Sequence, residues 1–288
     1  MYTINPNFIT YLKSRQRSEN TIKAYVKNVE EFFNITGKNE QEVNEIDTDL
    51  WMNYLSNNAK NTGATICRKI SALKTYYHFL NKYKFTTNNP FTDIDMPKKH
   101  SKKKHYMNKE MIHDMLCACS NSFEKAIVLT LVSTGLRISE LLNITIDEYI
   151  EMKENGGNTI TIVGKGNKPG LAYFSLEAQK AIDDYIKARS FQTVHCNTLF
   201  VSRYGNKVAR NNLSLTLKKI AKKANIPFWE DMCNHQMRSA SATCYLESGM
   251  SITELQAFLR HENPSTTMLY TKTCEKNISD KVMNMHFC

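Results

Sequence analysis

Asn158–Phe174, NTITIVGKGNKPGLAYF, is where the period of this sequence changes. β-Branched residues over Thr159–Val163 lead into a Gly/Lys/Asn turn, and more strand formers follow to Phe174, a pattern that predicts a β-hairpin. Elsewhere the apolar residues recur mostly at helical spacing, and one further short strand is expected at NTLFVS (197–202). The expected fold class is therefore mainly α, with a small antiparallel sheet in the second part of the chain.

Upstream of the hairpin, three amphipathic helices make an all-helical unit over residues 1–95. In SENTIKAYVKNVEEFF (18–33), Ser18 is the expected cap and Ile22, Tyr25, Val26, Val29 and Phe33 form one stripe. DTDLWMNYL (47–55) starts a second helix with Asp47 as cap. In TICRKISALKTYYHFL (65–80), Ile66, Ile70, Leu73, Tyr77 and Leu80 face one way, while Arg68, Lys69 and Lys74 lie off that stripe. Residues 96–106 form a basic linker: Pro90 and Pro97 break helix, and Lys98, Lys99, Lys102, Lys103 and Lys104 show no apolar period. The run reads either as a solvated tether or as a strap along a phosphate backbone.

The second domain spans 107–288. Helices are expected at NKEMIHDMLCAC (108–119) and FEKAIVLTLVSTG (123–135), the latter stopped by Gly135, and at SLEAQKAIDDYIKA (175–188). Three more follow: the basic RNNLSLTLKKIAKKANI (210–226), HQMRSASATCYLESG (235–249), and SITELQAFLRH (251–261) with a Ser251/Glu254 capping box.

With 38 Lys+Arg against 28 Asp+Glu, the net charge of +10 points to a polyanionic partner, nucleic acid before membrane. Eight scattered cysteines without a C-x-x-C pair, and no apolar leader, suit a reducing cytoplasm. The apolar run AIVLTLV is too short to span a bilayer. HENPS lacks the second histidine of H-E-x-x-H, and Cys117 and Cys119 have no matching pair downstream, so no metal is expected.

Separated segments carry candidate chemistry. Arg137 follows Gly135 and opens the next helix; Lys165 sits in the hairpin turn; His235 and Arg238 share a helical face; His261 and Tyr270 lie nine residues apart in HENPSTTMLY. Singly, these fit surface ion pairs, a turn lysine, satisfied histidines and a packed tyrosine. Together they fit phosphoryl transfer. Two arginine forks hold the non-bridging oxygens of a phosphodiester, a histidine takes the tyrosine proton, and a lysine protonates the leaving oxygen.

These motifs resemble a tyrosine recombinase of the phage integrase family, close in build to its short two-domain Xer-like members. The likeness runs through TGLRISEL, GKGNK, HQMR, His261 and Tyr270, and through the N-terminal helices. It implies a helical core-binding domain and a catalytic domain whose catalytic residues are Arg137, Lys165, His235, Arg238, His261 and the nucleophile Tyr270, with Glu140 supporting Arg137. It further implies a 3′-phosphotyrosyl intermediate, no cofactor, and a homotetramer on two double-stranded DNA sites. Candidate DNA contacts are Arg68, Lys69, Lys74, Lys102, Lys103 and Lys104, and Arg210, Lys218 and Lys219 of the basic helix. Three features depart from the family pattern: Arg260 stands where glycine is usual, Ser239 where a histidine is frequent, and the return strand KPGLAYFSL lacks the usual basic and Val/Pro residues. A mobile-element integrase or resolvase therefore fits at least as well as a chromosome-dimer resolvase. Alternatives are a non-catalytic DNA-binding protein on the same fold, or a type IB topoisomerase-like enzyme. In the tail, Ile278, Val282 and Met285 make a stripe that either folds back or docks on a neighbouring protomer.

Overall fold

The computed structural model describes residues 2–97, 105–164, 168–189 and 193–261. The chain divides into two compact units, 1–104 and 105–288. Among the described residues, no helix is long and apolar enough to cross a membrane.

The first unit holds α1 (Pro6–Ser14), α2 (Glu19–Thr36), α3 (Glu45–Asn53) and α4 (Gly63–Lys82). Ser18 accepts from Thr21 N–H to start α2, and Gly37, at φ 67°, ends it. The stripes of α2 and α4 meet in an aromatic core, where Phe8, Phe32, Phe33, Trp51, Tyr76 and Tyr77 are buried. Phe32 and Trp51 pack edge to face at 5.4 Å. Two expectations need correction. The cap of α3 is Asn44, and Asp47 sits three positions into the helix, returning a bond to Asn44 N–H as the second half of a capping box. Lys69, expected off the apolar stripe, is only 8% exposed. Its ammonium donates to both carboxylate oxygens of Glu31 at 2.6 and 2.7 Å, since a buried lysine needs a paired anion.

The second unit runs α5 (Lys109–Ala118), α6 (Ser122–Thr134), α7 (Ile138–Leu141), α8 (Ile146–Glu154), β1 (Thr159–Val163), β2 (Pro169–Tyr173), α9 (Leu176–Arg189), α10 (Arg210–Lys223), α11 (Asn234–Glu247) and α12 (Ile252–Leu259). α6 is the axis, packed by α5, α9, α10, α11 and β2. It is buried nearly all round, from Ala126 to Leu131, which is why its sequence reads as a continuous apolar run. β1 and β2 pair antiparallel, from Thr159 opposite Tyr173 to Val163 opposite Pro169. Ile160, Ile162 and Ala172 turn into the core.

NTLFVS does not form a strand. Leu199, Phe200 and Val201 are all buried in succession, without a two-residue alternation. Only isolated bridges form, Thr145 with Thr198 and Val201 with Lys207. The buried Arg189 takes the carbonyls of Thr198 and Leu199, at 2.8 and 2.7 Å, that a ladder would have used.

Candidate active site

Gly135 sets the geometry of the site. It ends α6 at φ 56°, and a Cβ there would stand 2.8 Å from Leu259 Cδ2 and 3.1 Å from Phe258. A residue without a side chain thus turns the chain and lets α12 approach. Two residues on, Arg137 opens α7. Glu140 accepts from Arg137 N–H at 2.9 Å through Oε2, and from Nη1 at 2.7 Å through Oε1. Glu140 is 3% exposed and Arg137 38%, so the carboxylate anchors a guanidinium that faces outward. A cleft of about 300 Å³ beside them is lined by Arg137, Ser139, Glu140, Asn143, Val163 and Gly164, which joins Arg137 to the end of the hairpin.

Arg238 reaches the same corner from α11. It is 4% exposed. One guanidinium nitrogen donates to Gly135 O and the other to Leu259 O, so its fork is fixed between the ends of α6 and α12. Carbonyl oxygens orient a guanidinium without cancelling its charge. His235 lies in the first turn of α11 and is exposed. That turn is built on an unanticipated capping box, in which Gln236 Oε1 accepts from Cys233 N–H at 3.1 Å. The helix N-terminus adds a partial positive charge.

His261 follows α12 and is half-buried, its N–H donating to Gln256 O at 3.1 Å. Burial pulls its pKa down from 6.5 to about 4, and the positive charges of Arg238, Arg137 and Arg260, with a further contribution from His235, push it the same way. Three elements, the start of α7, the first turns of α11 and the end of α12, therefore place these groups within electrostatic reach of one imidazole. Such a cluster suits an anion with several oxygens.

Arg260 is the residue that sequence reasoning noted only as a departure. It holds a left-handed backbone, φ 56° and ψ 45°, where glycine is the usual occupant. Lys165 and Tyr270 lie outside the described residues, as do Lys102, Lys103 and Lys104 and the tail with Ile278, Val282 and Met285. Of the other basic candidates, Arg68, Arg210 and Lys219 are exposed and Lys218 is half-buried. Lys74 donates to Thr92 O at 3.3 Å, and Lys69 is committed to Glu31. Among the described residues no cluster of His, Cys, Asp and Glu is placed to hold a metal ion.

Comparison with known proteins agrees with this architecture. Residues 105–276 match the phage integrase family, and residues 6–84 match the phage integrase N-terminal SAM-like domain. Tyrosine recombinase XerC of Caldanaerobacter subterraneus subsp. tengcongensis is 29% identical, over 96% of this chain and 84% of the relative. The crystal structure of XerA recombinase is 25% identical with a TM-score of 0.57, covering 97% of both chains. XerH site-specific recombinase, in a post-cleavage complex with a palindromic difH substrate, superposes with a TM-score of 0.73 at 18% identity, over 94% of this chain and 82% of that one. The chain belongs to the phage integrase family and is a site-specific tyrosine recombinase.

Proposed function

We propose that the protein cuts and rejoins double-stranded DNA at a specific site through a covalent link to Tyr270. Arg137 and Arg238 bind the non-bridging oxygens of the scissile phosphate and stabilise the charge that builds in the pentacoordinate transition state. The Tyr270 hydroxyl attacks phosphorus, and its proton passes to a histidine of the cluster. The bond from phosphorus to the 5′-oxygen breaks, and Lys165 protonates that oxygen. The resulting 3′-phosphotyrosine keeps the energy of the broken ester, so the freed 5′-hydroxyl of a partner strand reverses the reaction without ATP or a metal ion. Four protomers on two sites complete the exchange, with the tail docking between neighbours. The XerH structure with its difH substrate supports DNA as the partner.

The observation that carries this reading is two fixed arginines at one corner: Arg137, held by Glu140 at the start of α7, and Arg238, held by the carbonyls of Gly135 and Leu259 at the ends of α6 and α12. A mere DNA-binding protein has no need of a buried arginine fork fixed by two helix ends. The biological setting is the integration or excision of a mobile element, or the resolution of replicon dimers. Mapping cleavage on the DNA flanking the gene separates the two.

The test is covalent capture of a nicked suicide DNA substrate. Tyr270→Phe keeps the ring and removes the phosphoryl acceptor, so binding by gel shift is expected to stay near wild type while the protein–DNA adduct disappears. Wild-type adduct yield from this variant would remove Tyr270 as the nucleophile.

A further inference from the structure

Arg260 ends α12 in a conformation that favours glycine. A residue with a side chain persists there only when its surroundings hold it. Its side chain is 13% exposed and turned inward. Nη1 donates to Leu171 O in β2 at 2.8 Å and to Phe258 O at 2.9 Å, while Nη2 lies 3.5 Å from Glu140 Oε2. The stem crosses β2 at Gly170, where a Cβ would stand 2.6 Å from Arg260 Cδ. The buried Nε has no hydrogen-bond partner among the described residues, so the side chain adopts this pose at some cost in solvation. A left-handed backbone, a glycine in the facing strand and a buried cation thus converge on one carboxylate. That carboxylate is the one holding Arg137.

We infer that Arg260 is a positioning residue for cleavage, acting through Glu140 on Arg137. Within α7, Glu140 is held by the Arg137 N–H at Oε2 and by Nη1 at Oε1, and neither bond fixes it against β2. Glu140 is held from a second direction, because Arg260 ties Oε2 to the carbonyl of Leu171 in β2. This fixes the plane in which the Arg137 guanidinium meets the phosphate. Here one nitrogen of the planar fork reaches the strand carbonyl and the other the carboxylate, whereas a lysine offers a single nitrogen in place of both. The inference rests on the recombinase reading of the site, since it needs a phosphate for Arg137 to face.

Single-turnover cleavage of the suicide substrate, with binding by gel shift and thermal midpoints for every variant, tests it. Arg260→Gly suits the left-handed backbone, so its midpoint and DNA binding are expected to stay near wild type while cleavage slows about tenfold. Arg260→Lys is expected to slow cleavage similarly. Because Arg260 acts through Glu140, the double variant Glu140→Gln/Arg260→Gly is expected to cleave no more slowly than Glu140→Gln alone. Gly170→Ala, which displaces the Arg260 stem without touching the arginine, gives an independent reading and is expected to slow cleavage as well. Wild-type cleavage by Arg260→Gly overturns the inference, as do multiplicative losses in the double variant or a loss that only tracks the folded fraction. If wild-type protein forms no adduct at Tyr270, the recombinase reading falls first, an outcome distinct from a normal adduct that is indifferent to Arg260.

Discussion

His261 reports the charge of the site through a single proton. Burial, the charges of Arg238, Arg137 and Arg260, and the nearby His235 hold its pKa at about 4, against an ordinary 6.5. The unfolded chain therefore binds this proton more readily than the folded one. Its contribution to stability is complete above about pH 6.5, declines as pH falls, and is lost by about pH 4. NMR titration is expected to show His261 neutral at pH 6 in the free protein, and His261→Gln is expected to flatten the fall in unfolding free energy between pH 6.5 and 4. A scissile phosphate at the arginines would offset their charge and raise this pKa, so DNA binding near pH 5 should take up a proton. A free-protein His261 titrating near 6.5 would show that neither burial nor the cations act on it as described. The residue types of this cluster were legible in the sequence because TGLRISEL and HQMR put arginines beside a helix stop and on a helix face. The role of Arg260 was not, since nothing local marks an arginine as left-handed. Lys69 was misread for a related reason: its position off the stripe says nothing of Glu31, thirty-eight residues away, which lets it be buried.

Among the elements, those with their own capping chemistry were the most legible. Ser18, Gly135 and the Ser251/Glu254 box mark ends of α2, α6 and α12 as the sequence suggests. The hairpin was legible from the change of period, with Ile160 and Ile162 inward as alternation requires. NTLFVS failed because strand propensity is satisfied only by a neighbouring strand, and here Arg189 took the carbonyls instead. Asp47 was misplaced by three positions because an acid at the cap and an acid in the third helical position look alike in sequence. The joint of α6 with α12 carries its own prediction. Gly135→Ala combines a left-handed backbone with a Cβ 2.8 Å from Leu259 Cδ2. A cost of about 2–4 kcal/mol is expected from the two effects together. Because Arg238 is anchored on Gly135 O and Leu259 O, cleavage is expected to fall even at temperatures where the variant is fully folded. Denaturant unfolding and single-turnover cleavage check the two halves. Full activity in the folded fraction would show that the joint serves stability alone.

At the scale of the whole molecule, the net charge of +10 belongs to a chain of two units joined through the lysines before His105. A protein that grips duplex DNA with both units neutralises many phosphates, and each one releases condensed counterions. The logarithm of affinity then falls linearly with the logarithm of salt, by about 0.9 per phosphate contacted. Lys102, Lys103 and Lys104 are candidate DNA contacts in a run that reads either as a solvated tether or as a strap along the phosphate backbone. If all three make phosphate contacts, replacing them with serine is expected to reduce the slope by about 3, while the sequence preference of the two units stays the same. Gel-shift or fluorescence titrations of specific and scrambled sites over a range of salt concentrations measure both quantities. A slope unchanged by the triple replacement would make the lysine run a solvated tether, whose charge serves solubility rather than grip. A slope reduced equally on both DNAs fits backbone contact, because phosphates carry no sequence. A reduction confined to the specific site would instead place these lysines against base edges, and the strap along the backbone would have to be given up.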